Sequence, residues 1–140
     1  MPGFKSASEC REVITRAFEL MSRDPSMGPK LRDAEAPQRW EFPDLELVVN
    51  VTGADEGSRD NLRWEWSDEV DWEPEVVMTM DSAIANRYFQ GKENIAMAVA
   101  RRRIRTTGNL KKALALVPVT KPVFAQYREM LEREYPHLLD

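Results

Sequence analysis

Apolar residues recur along the first part of the chain with the period of one helical face. They recur at intervals of three and four residues between positions 6 and 22. The residues that share this face are Cys10, Val13, Ile14, Ala17, Phe18 and Met21. Ser6 and Glu9 have the spacing of a capping box, in which the two side chains satisfy free backbone N–H groups. The pattern therefore predicts a helix over residues 6–22.

Prolines interrupt the next segment. Two X-Pro breaks lie within residues 24–29 and end the first helix. A short helix is expected over residues 29–36, because proline is tolerated at the first position of a helix. Pro37 and Pro43 then bracket a segment that holds Trp40. This segment is expected to be a loop.

From residue 45 the period changes to two, which is typical of strands with one buried face. The segments LELVVNVT, LRWEWSD and EVVMTMD predict three strands, and EVDW predicts a shorter one between the last two. The side chains predicted to face inward are Leu45, Leu47, Val49, Val51, Leu62, Trp64, Trp66, Val76, Met78 and Met80. Strands spaced this closely favour an antiparallel meander with one solvated face.

Helical spacing returns after Met80. It predicts four helices: from Ser82 to Gly91, over 92–100, over 109–117, and from Pro122 onward. Between the second and third, RRRIRTTG is too short and too β-branched for a helix and is expected to form a strand. Alternation in this strand places Arg102 and Ile104 inward, with Arg101, Arg103 and Arg105 on the solvated face.

The order of elements is helices, strands, and then helices with one late strand. This order favours an α+β fold with helices on one face of a sheet. The sequence shows no internal repeat or boundary, so a single domain over residues 1–140 is expected. Residues 1–44 would form an N-terminal helical and proline-rich part, 45–117 the sheet and central helices, and 118–140 the C-terminal helix.

Composition excludes several classes of function. With one cysteine and one histidine in 140 residues, a disulfide is excluded and a zinc site of the usual ligands nearly so. No phosphate-binding glycine motif or nucleophile–base pair is evident. We therefore expect no catalytic residue, no metal and no cofactor. The single cysteine, without an apolar span or signal-like N-terminus, predicts a cytoplasmic protein.

The motifs of the second half resemble the sterol carrier protein family. That family has a strand of the form D-x-T-x-T-M before a helix, then Gly-Lys, then a strand of the form G-K-I-K-I-S-G-D. Residues 75–80, Gly91-Lys92 and 103–109 match these motifs in order and spacing. Departures are Glu75 for the usual Asp, Arg102 for the first glycine of the late strand, and Asn109 for the last Asp.

The resemblance implies a mixed, mainly antiparallel five-stranded sheet with helices on one face, which enclose an apolar pocket. It also implies non-catalytic binding or transfer of a fatty acid, acyl-CoA, sterol-like molecule or phospholipid. The residues expected to contact this ligand are Leu47, Val49, Trp64, Met78, Met80, Tyr88, Met97, Arg102, Ile104, Leu114, Phe124 and Tyr127. For Arg102 two alternatives stay open: either the strand starts after it, or it meets a carboxylate in a partly buried position, in the protein or on the ligand.

Two readings of these residues stay open. Aromatic and methionine stripes at such spacings usually form a core, and the same side chains would then fill the pocket themselves. In that case the protein would be an accessory or assembly protein that binds an enzyme partner or itself. In the other reading the methionines give the pocket an adaptable lining for lipids of different shapes.

Charge is distributed unevenly along the chain. The net charge is −4, but residues 99–114 carry six positive charges and no negative one. This basic segment lacks the aromatic residues on which bases stack, so no nucleic-acid partner is expected. It is either an ordinary solvated face or a weak contact for an anionic membrane. Acidic residues between Glu65 and Glu75 form an opposite patch, which together with the basic segment would allow a homodimer.

Overall fold

A computed structural model describes all residues from Met1 to Asp140 and contains one five-stranded sheet. The strands are β1 (Gln38–Phe42), β2 (Leu47–Gly53), β3 (Leu62–Glu65), β4 (Val76–Met80) and β5 (Ile104–Gly108). Their order across the sheet is β3-β2-β1-β4-β5. β1 runs parallel to β4, and the other neighbouring strands are antiparallel. The predicted mixed, mainly antiparallel sheet is confirmed.

The helices agree with the predicted order. They are α1 (Ala7–Arg23), α2 (Met27–Asp33), α3 (Ser82–Phe89), α4 (Ile95–Ala100), α5 (Leu110–Ala115), α6 (Val117–Thr120) and α7 (Pro122–Glu134). At the start of α1 the Ser6 hydroxyl accepts a hydrogen bond from the Glu9 backbone N–H at 3.0 Å. The Glu9 carboxylate accepts in turn from the backbone N–H of Lys5, one residue before the usual position of a capping box. None of the helices is long and apolar enough to cross a membrane.

The aromatic side chains between the sheet and the helices form the centre of the core. Trp40 and Phe89 stack with their ring centroids 5.6 Å apart. Phe18 of α1 meets the edge of Trp40, and Tyr127 of α7 packs against Phe89. Three helices and the central strand therefore meet at one aromatic cluster. Such pairs contribute stability beyond the area that they bury.

The segment of Trp40 is the central strand, so the predicted loop there is wrong. Residues 38–42 alternate, with Trp40 and Phe42 buried on the helix face and Arg39 and Glu41 on the other face. β1 pairs on both sides, and Trp40 lies between Val49 and Met78. The two prolines lie outside the strand, where their missing N–H groups break no ladder bond.

The predicted strand EVDW is also wrong, because residues 66–75 form a loop. Ser67, Asp68 and Trp72 of this loop contact side chains on the outer face of the sheet. The Asn50 side-chain amide donates to the Ser67 carbonyl at 2.7 Å. The Arg63 guanidinium lies 4.6 Å from the centre of the Trp72 ring. Side chains of the sheet therefore hold this loop, and Asn50, predicted on the solvated face, is fully buried.

Several element ends differ from the predictions. Leu45 belongs to a short 3-10 turn rather than to a strand, and β2 begins only after Glu46, whose φ of 54° interrupts the extended backbone. α2 covers Met27–Asp33 rather than 29–36. The helix predicted over 109–117 ends at Ala115, and Pro118 lies in the first turn of α6, where its missing N–H breaks no helical bond.

Candidate ligand site between the sheet and helices α5 and α6

A cavity of about 80 Å³ lies between the sheet and the helices. Of its 18 lining residues, 14 are hydrophobic. The strands contribute Trp40, Val51 and Met78, and α3 contributes Tyr88 and Phe89. The roof of the cavity consists of Ala113, Leu116, Val117 and Thr120 from α5, α6 and the residue between them. The cavity therefore offers an apolar surface that no single element forms alone.

The polar groups at the cavity are already paired with one another. The hydroxyl oxygens of Tyr88 and Thr120 lie 2.9 Å apart, and the Thr120 hydroxyl is also 3.0 Å from the Val117 carbonyl oxygen. The Trp40 indole N–H donates to the side-chain carbonyl of Gln38 at 3.0 Å. Burial raises the pKa of the Tyr88 hydroxyl, so this group stays neutral. The arrangement contains no free acid or base.

A groove of about 610 Å³ runs on the outside of the same helices. Its apolar lining includes Ile95, Leu114, Val117, Pro118 and Phe124, and Lys92 and Lys121 lie beside them. Ile95 and Val117 line both the groove and the cavity. These two side chains therefore lie where the cavity and the groove adjoin.

The cavity is small for a ligand site. Pockets that hold drug-sized ligands measure about 300–1,000 Å³, and an engineered apolar cavity that holds benzene measures about 150 Å³. A long-chain ligand therefore requires side chains or the roof to move. The helices that form the roof are short, since α5 has six residues and α6 has four. Leu114, Val117 and Val119 of the roof are only partly buried.

Ten of the twelve sequence-predicted ligand residues fall into three groups. Met78 and Tyr88 line the cavity, and Leu114 and Phe124 line the outer groove. Core positions that do not border the cavity are occupied by Val49, Met80, Ile104 and Tyr127. Leu47 and Trp64 are partly buried on the helix face of the sheet, away from the cavity.

Met97 and Arg102 do not border the cavity. Met97 lies on the surface with 49% of its area exposed, because α4 turns its other face, with Ile95 and Ala98, inward. Arg102 is exposed in a turn, and the strand begins only at Ile104. The φ of Arg102 is 60°, so the alternation that would place it inward does not extend to it.

The sequence-based reasoning missed several cavity residues. Trp40 and Gln38 lie in a segment that its flanking prolines predict to be a loop, although QRWEF has the alternation of a strand. Helical spacing marks Phe18 as buried, but spacing alone does not assign it, or Phe89, to the site. No sequence signal identifies Thr120, since the four-residue helix α6 begins at a Val-Pro pair.

Comparisons with known proteins identify the fold. No protein-family model matches the chain, and no curated protein matches it. Among solved structures, the "UbiJ-SCP2 Ubiquinone synthesis protein" is similar over 86% of this chain and 94% of its own, with a TM-score of 0.61 at 9% identity. Sterol carrier protein 2 from Yarrowia lipolytica, in its apo form, is similar over 86% and 93%, with a TM-score of 0.56 at 15% identity. The chain has a sterol carrier protein-like fold.

The same fold occurs within a larger enzyme. A stereoselective inverting sec-alkylsulfatase from Pseudomonas is similar over 73% of this chain, with a TM-score of 0.59 at 14% identity. The chain spans only 15% of the length of that sulfatase. This likeness therefore concerns one part of a much longer protein.

Proposed function

We propose that this protein binds an apolar, chain-like ligand between its sheet and helices α5 and α6, without chemical reaction. The observation that supports this most directly is the apolar cavity that adjoins a surface groove at Ile95 and Val117. The sterol carrier protein-like fold supports the same proposal. Because the polar groups of the cavity are paired with one another, the site is suited to binding and offers no catalytic pair.

The apolar end of the ligand enters when the side chains of Ile95 and Val117 move aside. Each buried methylene contributes roughly 0.8 kcal/mol, against which the cost of association and ordering must be set. Met21 and Met78 border the cavity, and their unbranched side chains can repack around the entering chain. A cavity of about 80 Å³ admits a chain end more easily than fused rings, which favours fatty acyl ligands over sterol-like ones.

The polar head of the ligand stays at the groove. Lys92 and Lys121 line it, and neither has a carboxylate within 4.0 Å. A carboxylate or phosphate head group therefore suits this position, as in a fatty acid, an acyl-CoA or a phospholipid. A cytoplasmic location belongs to the same proposal, and the buried, free thiol of Cys10 is compatible with it.

The first test is to purify the protein without detergent, extract it and identify bound small molecules.

The second test is a titration with a fluorescent fatty acid in two variants of α6. Val117→Phe would narrow the passage and is expected to weaken binding at least tenfold. Val119→Phe is the matched control, because Val119 borders neither the cavity nor the groove. Thermal unfolding of both variants checks that the fold is kept.

A second candidate is an accessory or assembly protein whose core is self-filled. The small size of the cavity favours it, since the core leaves little space for a long ligand between the sheet and the helices. It predicts that the purified protein contains no lipid and takes up no fluorescent fatty acid. Native mass measurement would then reveal a homodimer or a complex with an enzyme.

A further inference from the structure

The chain exposes only two large hydrophobic side chains, and both lie at the same basic surface. Met1 is 65% exposed and Met97 is 49% exposed. Met97 shares a surface pocket of about 240 Å³ with Lys92 and Arg101. Met1 shares an adjoining pocket of about 330 Å³ with Arg102 and Arg105. We call these two methionines and four cations the arginine surface.

The four cations of the arginine surface have no carboxylate within 4.0 Å. Arg103, in the middle of the segment, behaves differently, since it binds Glu93 at 2.7 Å. Glu93 also binds Arg87, so its carboxylate does not neutralise the four cations of the arginine surface. Asp81 is the other acidic residue that borders these pockets. The surface therefore keeps an excess of positive charge in a protein whose net charge is −4.

The backbone holds these charges at a cost to stability. Arg102 has a φ of 60°, in the left-handed region that residues other than glycine adopt with strain. Its neighbours Arg101 and Arg103 carry the same charge, so the turn also concentrates repulsion. Strain at an exposed, charged turn is a reason to look for a binding partner there.

We propose that the arginine surface docks on an anionic lipid bilayer. Lipid phosphates complement the unpaired cations, each of which is attracted to such a membrane. The exposed Met1 and Met97 can enter the boundary between head groups and acyl chains, as apolar side chains of interfacial proteins do. The surface has no aromatic side chain on which a base could stack, which disfavours a single-stranded nucleic acid.

The position of this surface links it to the ligand site. Lys92, Glu93 and Asn94 line both the Met97 pocket and the outer groove. A docked molecule would therefore hold the groove beside the bilayer, where a chain could pass between membrane and cavity. This last step rests on the proposed function, whereas docking itself does not.

Sedimentation with lipid vesicles tests the proposal on the full chain. Vesicles of phosphatidylglycerol and phosphatidylcholine should bind the protein at low salt, and vesicles of phosphatidylcholine alone should not. The triple variant Arg101→Gln, Arg102→Gln, Arg105→Gln is expected to bind roughly a hundredfold more weakly, from about fivefold for each charge. The control Arg11→Gln, Lys30→Gln, Arg59→Gln removes the same charge from exposed, unpaired positions elsewhere and should retain most of the binding.

Two single variants sharpen the test. Arg102→Gly should raise the unfolding temperature, because it relieves the left-handed strain, and yet weaken vesicle binding. Met97→Ser should weaken binding by a similar factor at low and high salt, because salt does not screen an apolar contact, whereas the loss caused by the arginine variants should shrink as salt rises. A loss of stability could not explain weaker vesicle binding by an Arg102→Gly variant that is more stable than the wild type.

Equal binding of the triple variant and its control would overturn the proposal, as would absence of binding to anionic vesicles at low salt. Binding of a single-stranded oligonucleotide in preference to vesicles would assign the surface to nucleic acid instead.

Fatty-acid uptake in solution, measured on the same variants, separates this proposal from the proposed function. The triple variant is expected to keep uptake, since none of its three arginines lines the cavity or the groove.

Discussion

The hydroxyl oxygens of Tyr88 and Thr120 lie 2.9 Å apart and connect α3 to α6 at the cavity. This buried side-chain hydrogen bond connects α6, a short helix of the roof, to the rest of the core. Because the roof must move to admit a long chain, this bond resists opening of the site. In the proposed function, this hydrogen bond therefore holds the roof of the cavity closed.

Tyr88→Phe removes the hydrogen bond to Thr120 and keeps the aromatic ring. Its free energy of unfolding should fall by only about 1 kcal/mol, because Thr120 retains the Val117 carbonyl as a partner. Uptake of a fluorescent fatty acid should become faster, as stopped-flow mixing would measure. An unchanged rate of uptake would show that the roof opens without breaking this bond.

Asn86 carries a buried network that holds the C-terminal segment. Its side chain accepts from the Tyr127 hydroxyl at 2.7 Å and donates to the Leu138 carbonyl at 2.9 Å. Asn86→Ala should lower the free energy of unfolding by about 3 kcal/mol, since it leaves a buried hydroxyl without a partner. Urea denaturation measures this loss.

Adding Tyr127→Phe to Asn86→Ala provides the control for that network. The phenylalanine removes the orphaned hydroxyl, so the double variant should lose less stability than the sum of the two single variants. Strict additivity would contradict the network.

Gly108 and Gly57 form a matched pair for a test of close packing. Their φ values are 89° and 86°, so alanine is strained to a similar degree at both. A Cβ at Gly108 would lie 2.2 Å from the Glu75 carbonyl oxygen, whereas one at Gly57 meets nothing within 4 Å. Gly57→Ala should cost about 1 kcal/mol, and Gly108→Ala several times more, as chemical denaturation would measure. Equal costs would disprove the close approach of the two backbones.

Cys10 makes stability depend on alkaline pH. Burial raises the pKa of its thiol from 9.0 to about 12. Between these values the unfolded chain releases a proton that the folded chain keeps, so stability should fall as pH rises above 9. Burial also raises the pKa values of Tyr88 and Tyr127, which act in the same direction.

Denaturation between pH 8 and pH 12, in the wild type and in Cys10→Ala, measures the contribution of the thiol. The variant should show the shallower loss. Alkylation of the native thiol at neutral pH should proceed no faster than unfolding exposes it. Rapid labelling of the native protein would contradict the buried position of Cys10.

Periodicity predicts most of this fold from the sequence, because long regular segments carry their own signal. The face of α1 and the strand Val76–Met80 are examples, since each repeats its burial period several times. The strand of Trp40 is short and bracketed by prolines, so its alternation competes with a stronger signal for a loop. Its central position comes from the parallel pairing with β4, which is distant in sequence.

The site was less predictable than the fold. Met78 and Tyr88 were named as ligand residues and do border the cavity, but their burial alone does not distinguish lining from core. Whether a buried side chain meets a void depends on small gaps in packing between several elements. Arg102 illustrates a different limit, since one left-handed residue ends the strand pattern and alternation contains no sign of it.

The parallel pairing of β1 with β4 also has a consequence for the order of folding. Gln38 pairs with Val76, and the antiparallel β2–β3 hairpin lies within the chain that connects them. The hairpin requires a short loop to close, whereas the central pair requires a long one. We therefore expect the β2–β3 hairpin to form early and the centre of the sheet to close late, at the rate-limiting step. Until then Trp40 lacks its partner on β4, so fluorescence should report the last stage of folding in a variant that keeps Trp40 as its single tryptophan.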